Sequence, residues 1–317
     1  MNDRLSFLPV SFFSMVMGLS GLSIAVQQAD ILMNGLHGIG TAIALLSVIV
    51  FVILCVLYAA KTMRYPAAVR EELSHPVKMS FGASFTVSLV LLSIALYASA
   101  PAVSWWLWAV GSALHLAFTL YVLNAWIYQS RFEIHHISPA WFIPVVGNIL
   151  VPVAGVAHGA QELSWFYFSI GLLFWLVLFT IIVYRMIFHH PLPDKLLPTL
   201  FILIAPPAVG FIAYVKLTGS IDAFAHVLYY SAVFLTLLLF MQLPRFLRLP
   251  FFLSWWAYSF PLAAMTVATL IMYRHTGVSF FGGLAALLLS VLSLIIIGLV
   301  MRTGISINRQ QICLEGH

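Results

Sequence analysis

The sequence predicts an all-α integral membrane protein of ten transmembrane helices. They are expected to form five helical hairpins in a quasi-fivefold ring, odd helices inside lining a pore and even helices outside. Composition, loop charge and a proline that recurs once per hairpin all point there. Of the 317 residues, 63% are hydrophobic and 7% charged, against roughly 25% charged in an ordinary soluble domain. The 14 Lys and Arg with 9 Asp and Glu are too few to cover a water-soluble globule of this size, and mean hydropathy is +1.07. The apolar residues run continuously instead of alternating with polar ones, which argues against an outer-membrane β-barrel.

At about 20 apolar residues per crossing, spans fall near 7–28, 37–60, 79–99, 103–128, 140–158, 163–187, 197–216, 223–243, 251–273 and 279–301. Residues 1–317 thus read as a single transmembrane domain. The opening MNDRLSFLPV resembles the start of a signal peptide, but more spans follow, so it is read as leading into the first span. An even count puts both termini on one side. That side holds Arg4, Lys61, Arg64, Arg70, Lys78, Arg131, Arg185, Lys195, Arg245, Arg248, Arg302 and Arg309; the other holds only Lys216 and Arg274. By the positive-inside rule both termini are cytoplasmic, which implies a multi-pass protein of the cytoplasmic (inner) membrane with the lipid bilayer as its surroundings. The net charge of +5 is scattered over loops, so no nucleic-acid partner is expected.

Each odd span begins beside a proline: Pro9, Pro76, Pro139, Pro198 and Pro250, spaced 67, 63, 59 and 52 residues apart. A period of one hairpin indicates an architecture assembled from similar units. Even spans are plain hydrocarbon, as in 42–57 (AIALLSVIVFVILCVL). Odd spans are irregular. The first carries Ser14, Gly18, Ser20 and Gly21, and the third Ser80, Gly82, Ser84, Thr86 and Ser88. The fifth carries Pro144, Gly147, Asn148 and Pro152, the seventh Pro206 and Pro207, and the ninth Ser254, Ser259, Phe260 and Pro261. A proline inside a helix breaks a backbone bond, and broken backbone belongs where protein or water surrounds it. The odd spans are therefore expected inside, around an axis. The bland alternative is that prolines and small residues merely let helices pack closely.

The nine acids Asp3, Asp30, Glu71, Glu72, Glu133, Glu162, Asp194, Asp222 and Glu315 all fall in expected loops or tails, away from span centres. Proton-coupled pumps and cation carriers generally need intramembrane carboxylates, so a passive, uncharged path fits better. Such a path prefers anions if freed N–H groups, hydroxyls and helix N-termini face it. His37, His115, His158 and His226 lie in or near spans, but no two histidines stand at i, i+4 on one helix face. Neither metal, haem nor other cofactor is expected. Cys55, in an apolar run, and Cys313, in the polar tail, suggest neither a bridge nor a metal site. Gly18-Leu19-Ser20-Gly21 matches the GxSG of intramembrane serine proteases, a short motif that recurs by chance in spans rich in small residues. Lys216 and Arg274, alone on the outer side, either concentrate anions there or serve as interfacial anchors.

Residues 191–211 (PLPDKLLPTLFILIAPPAVGF) and 251–262 (FFLSWWAYSFPL) resemble the tellurite-resistance/dicarboxylate transporter family, which includes bacterial TehA-type proteins and plant slow anion channels. Residues 64–77 (RYPAAVREELSHPV) look like the loop before that family's third span. The resemblance implies a homotrimer in which each protomer has its own pore. It also implies that the aromatic residue matched by Phe260 plugs that pore near mid-membrane. An apolar ring excludes water, and its positive edge tolerates an anion. Otherwise Phe260 is one packing residue among 25 phenylalanines. Two features depart from the family pattern: the third span has no internal proline, so any kink there must come from Gly82 or nearby serines, and no counterpart of the plant members' regulated tails is expected.

The expectation is a passive channel for small inorganic monovalent anions such as chloride or nitrate. Phe260 is its gate, and Ser14, Gly18, Gly82, Ser84, Pro144, Gly147, Asn148, Pro206, Pro207 and Pro261 line or kink the pore. The alternatives are a carrier or exporter of dicarboxylate, sulfite or tellurite, and an intramembrane hydrolase using Ser20.

Overall fold

The computed structural model describes residues 4–33, 35–36 and 38–313; Asp3, His37 and Glu315 lie outside them. Regular structure among the described residues is entirely helical. In chain order the α-helices are α1 (Phe13–Met33), α2 (Ile39–Arg64), α3 (Pro66–Ser74), α4 (Lys78–Leu96), α5 (Pro101–Tyr128), α6 (Phe142–Val146) and α7 (Pro152–Gly155). They continue as α8 (Gln161–Phe188), α9 (Ala205–Thr218), α10 (Ala223–Phe240), α11 (Leu243–Phe246), α12 (Ser259–Thr276) and α13 (Ser279–Asn308). Tighter 3-10 stretches lead into four of them: Val10–Phe12 into α1, Pro139–Trp141 into α6, Asp194–Ile204 into α9 and Leu253–Tyr258 into α12.

Among the described residues nine helical stretches are long and apolar enough to cross a membrane, so this is a multi-pass membrane protein. The tenth apolar stretch, Pro139–Gly155, is shorter and is not the single helix expected over 140–158. It is split into a 3-10 turn at Pro139–Trp141, α6, a second turn at Gly147–Leu150, and α7. Pro144 and Pro152 have no N–H to return to the preceding turn, which accounts for the breaks. The third span, by contrast, is continuous from Lys78 to Leu96, and the stretch read as a loop before it folds as α3. Asp30, Glu71, Glu72 and Glu162 accordingly sit within helices, close to their ends.

Burial divides the stretches into two sets. The hydrocarbon-like windows of Val10–Leu32, Lys78–Leu96, Asp194–Thr218 and Leu253–Thr276 are 72%, 83%, 89% and 78% buried. Those of Ile39–Arg64, Pro101–Tyr128, Gln161–Phe188, Ala223–Phe240 and Ser279–Asn308 are 17% to 39% buried. The buried set is the one carrying the serines and prolines. Its members touch in succession: α12 packs on α1, α1 on α4, α4 on α6, the Gly147–Leu150 turn and α7 on α9, and α9 on α12. Each also packs on the helix that follows it, as α1 on α2 and α12 on α13. Between apolar helices in lipid the attraction is close van der Waals contact, which small residues permit. Gly171 of α8 illustrates it: a Cβ there would stand 2.7 Å from the backbone nitrogen of Ile149.

The chain ends meet at one end of the bundle, where the Arg4 guanidinium donates to Gln310 Oε1 at 2.6 Å. A buried ion pair fixes the N-terminal approach to α1 at the same end. Lys61 Nζ lies 2.7 Å from Glu72 Oε2, with side-chain exposures of 3% and 7%. Lys61 also donates to the Leu8 carbonyl at 2.8 Å, and Glu72 accepts from the Val10 N–H at 2.7 Å and the Tyr58 hydroxyl at 3.1 Å. Every charge-bearing atom is thus matched, the condition under which a buried pair is tolerable. Glu72→Ala leaves the Lys61 charge and the Val10 N–H stranded and should cost about 3–5 kcal/mol. Lys61→Met combined with Glu72→Leu should cost less than the two single changes summed, read from unfolding midpoints in lipid nanodiscs.

Candidate functional site

The buried stretches surround a cavity of about 1150 Å³ that opens at the end holding the chain termini. Its inner wall is formed by Ser14 and Met17 of α1, Ser84 and Val87 of α4, Gly147 and Ile149 of the broken stretch, Pro206 and Val209 of α9, and Phe260 and Pro261 of α12. Phe260 is half-buried in the first turn of α12, beside Gly21 of α1. The cavity reaches about halfway along α4, to Val87, and no residue of α4 beyond Val87 lines it.

Prolines shape this wall. Pro206 and Pro207 cannot donate to the carbonyls one helical turn earlier, at Ile202 and Leu203, and Pro261 cannot donate to that of Ala257. The chain before each of these sites winds as a 3-10 helix. A proline lacks an N–H and so supplies no donor of the kind expected from the kinks, and the 3-10 winding takes up the carbonyl left behind at Ile202, which accepts from the Ala205 N–H. The hydroxyls of Ser14 and Ser84 are committed as well. Ser14 donates to the Ser11 carbonyl at 2.6 Å, and Ser84 is within donating distance of the Phe81 and Val10 carbonyls at 2.6 and 3.2 Å.

Positive charge lies instead at the mouth. Lys78, Lys195, Arg302 and Arg309 line the rim together with His75, Glu71 and the paired Lys61 and Glu72. Sequence reasoning treated these cations as markers of topology and missed that they converge; their common register, at the termini-side ends of helices, was the available signal. Lys216 and Arg274 are exposed at the far ends of α9 and α12 and do not line the cavity.

Of the expected pore residues, Ser14, Ser84, Gly147, Pro206, Phe260 and Pro261 line the cavity, whereas Gly18, Gly82, Pro144, Asn148 and Pro207 do not. Gly18 faces Ser259 and Trp256, and Gly82 faces Phe118 and Leu73, both as helix contacts. Pro207 is buried. Asn148 and Pro144 belong to a buried brace. The Thr119 hydroxyl lies 2.7 Å from the Pro144 carbonyl and receives Asn148 Nδ2 at 2.9 Å, tying the break to α5. One turn away on the same helix, His115 Nδ1 meets the Thr86 hydroxyl at 2.7 Å, while His115 Nε2 faces Gly147. The sequence placed His115 in a span but did not foresee this grouping.

Ser20 of the GxSG tetrapeptide is fully buried, and its hydroxyl pairs with Ser47 Oγ at 2.8 Å, not with a histidine. Among the described residues no three His, Cys, Asp or Glu side chains cluster as a metal site. Cys55 and Cys313 are free thiols, yet both pack on the apolar cluster around Leu8 and Phe12, closer in setting than their sequence contexts suggested.

At the rim, His75 Nδ1 accepts the N–H groups of Val77 (3.1 Å) and Lys78 (3.3 Å), capping the start of α4. Partial burial, then the Lys78 charge, holds its pKa below the ordinary value of about 6.5. A depressed folded value means that the unfolded chain binds the proton more readily. This contribution to stability is therefore complete above about pH 6.5 and is lost as pH falls through the folded value. The drop in unfolding midpoint between pH 7 and pH 5 should accordingly be smaller in His75→Asn. For the brace, Thr119→Val should cost about 1–3 kcal/mol by taking the hydroxyl from the Pro144 carbonyl and from one of the two Asn148 amide protons, the other being held by the Val145 carbonyl, read as a lower unfolding midpoint.

A profile of the SLAC1 family, described as voltage-dependent anion channel, matches residues 8–304. The S-type anion channel SLAH2 of Arabidopsis thaliana is 27% identical over 272 residues, covering 83% of this chain and 52% of that protein. The chain spans about half the length of such plant relatives. The tellurite resistance protein TehA homolog of Haemophilus influenzae is 27% identical over 281 residues, 86% of this chain and 85% of the relative. An uncharacterized transporter of Methanocaldococcus jannaschii, MJ0762, is 26% identical over 291 residues, 84% and 85% of the respective chains.

Proposed function

Because the chain belongs to the SLAC1 family of voltage-dependent anion channels, we propose that it is a passive channel for small monovalent anions, such as chloride or nitrate, with Phe260 as its plug. The carrying observation is the cavity itself: basic at the mouth, apolar within, and bounded at its deep end by an aromatic ring. Anions gather where Lys and Arg line the mouth, and the rim field raises their local concentration. Deeper in, no cationic side chain holds them, so release is fast. The Phe260 ring closes the path by excluding water and must move for ions to pass.

In this reading the chain crosses the membrane ten times, with the broken Pro139–Gly155 stretch as the fifth crossing. Five hairpins form the ring, and the well-buried members line it. The alternation of burial along the chain and the succession of contacts from α12 through α1, α4 and α6 to α9 support that arrangement. The cavity mouth faces the cytoplasm and both termini lie on that side, as loop charge requires. The protein works in the cytoplasmic membrane as a homotrimer with one pore per subunit, an arrangement drawn from the family resemblance.

The rim also favours a second reading, a carrier of divalent oxyanions such as tellurite or of dicarboxylates. A doubly charged substrate needs cationic side chains, and the mouth supplies them, although the inner wall does not. A relative is named for tellurite resistance.

Planar-bilayer recording separates the two. Phe260→Ala should raise chloride and nitrate current by about tenfold or more, since about 1.4 kcal/mol off the barrier suffices, with reversal potentials that follow the small anion. Saturable, current-free uptake of a dicarboxylate, unchanged by Phe260→Ala, would favour the carrier.

A further inference from the structure

Away from the cavity, the loop between α5 and α6 and the end of α8 hold donors that the chain leaves unmatched. Arg185, in the last turn of α8, is 3% exposed. Among the described residues its guanidinium makes one hydrogen bond, from Nη2 to the His135 carbonyl at 3.5 Å, and its Nε is buried without a partner. Arg131 Nε, Trp126 Nε1 and Trp141 Nε1 are buried and unpaired as well. Ring contacts tie them to one loop. Trp126 and Trp141 stack at 4.6 Å, Trp141 meets Phe132 at 6.0 Å, and the Arg131 guanidinium lies 5.5 Å over Phe132. Among the described residues no carboxylate pairs with either arginine. Glu133, the loop's own acid, is exposed and stands 3.2 Å from His135 Nδ1 instead. A buried guanidinium held by one long bond to a neutral carbonyl lacks the counter-charge that makes burial tolerable, so the missing acceptor comes from outside the chain.

The neighbourhood narrows what that acceptor is. His75 at the cavity rim lies within electrostatic reach of Arg131 and His136, which sets the loop at the termini-side end. Exposed Ile127 and Tyr128 end α5 there, and exposed Ile187 and Phe188 end α8. An anion at that depth with hydrocarbon beside it is a phospholipid headgroup. We propose that this loop and the end of α8 bind an anionic phospholipid of the termini-side leaflet. Its phosphate oxygens accept from Arg185 and Arg131, for which a planar guanidinium is better shaped than an ammonium. The indole N–H groups of Trp126 and Trp141 donate to its ester oxygens, and its acyl chains cover the exposed side chains at the two helix ends. A zwitterionic headgroup brings its own cation beside two arginines and is disfavoured. Free phosphate offers the same oxygens without the chains. None of these four donor residues lines the cavity, so the site stands apart from whatever the cavity conducts.

The probe is dioleoylphosphatidylglycerol, titrated into the full-length protein in detergent micelles and counted as bound lipid by native mass spectrometry. Dioleoylphosphatidylcholine and inorganic phosphate are its counterparts. One phosphatidylglycerol per chain is expected, bound about tenfold or more tighter than phosphatidylcholine. Arg185→Gln should erase that preference, a loss of about tenfold or more for a charge-assisted contact. Arg131→Gln, at a part-exposed position, should weaken phosphatidylglycerol binding about threefold or more while leaving the unfolding midpoint in place. If Arg185→Gln does not fold, Arg131→Gln decides. Equal affinity for the two lipids, or a preference unchanged in the variants that fold, would overturn the site. Phosphate binding that depends on Arg185 and displaces the lipid at millimolar concentration would overturn the lipid as its occupant.

Discussion

A main chain interrupted by proline cannot be left facing hydrocarbon, where nothing replaces the missing hydrogen bonds, and this constraint organises the molecule. The stretches containing Pro144, Pro152, Pro206, Pro207 and Pro261 are buried, while helices of nearly pure hydrocarbon such as Ile39–Arg64 and Ser279–Asn308 take the exposed positions. The interrupted segments do not simply fill the interior. They hold open a cavity, because 3-10 winding before Pro206 and Pro261 and the break at Gly147 keep the surrounding backbones apart at one end.

Holding irregular backbone in place takes polar side chains used sparingly. Thr119 and Asn148 satisfy the break at Pro144, Ser84 and Ser88 reach the carbonyls of Val10, in the turn before α1, and Phe13, at its start, and the Lys61–Glu72 pair binds the N-terminal approach to α2 and α3. These groups are spent on structure, and the charge that lines the cavity is concentrated at its mouth. In the proposed channel, selectivity comes from charge at the entrance and apolar closure at depth, in place of a fixed binding residue along the path.

Much of this was legible in the sequence for a physical reason: lipid exposure is a composition, and composition is what a sequence displays. The spans near 163–187 and 279–301 reappear as Gln161–Phe188 and Ser279–Asn308, and the irregular stretches are the buried ones. Convergence in space was not legible. Gly18 and Gly82 carry the same small-residue signature as Gly147, yet the first two serve helix contacts and only the third reaches the cavity. Lys78, Lys195 and the two arginines at the end of α13, Arg302 and Arg309, come from distant parts of the chain, and only folding brings them to one rim. Glu72 looked like a loop charge because α3 is too short and too polar to stand out by periodicity, and Lys61 did because α2 runs past the expected span end at 60. The split of the fifth stretch was foreshadowed by Pro144 and Pro152, but a length rule alone read it as a whole helix.

The central claim is that the interrupted stretches enclose a space open at the termini end and closed at Phe260. Its most direct test is the rate at which a charged, membrane-impermeant thiol reagent, added from the termini side, modifies single cysteines in a background lacking Cys55 and Cys313. Ser14→Cys, Ser84→Cys and Val209→Cys should react, whereas Ala264→Cys and Ala268→Cys, further along α12 than Phe260, should react only when Phe260→Ala is also present. Equal reaction at all five positions with Phe260 intact, or protection of Ser14→Cys and Ser84→Cys, would contradict the account.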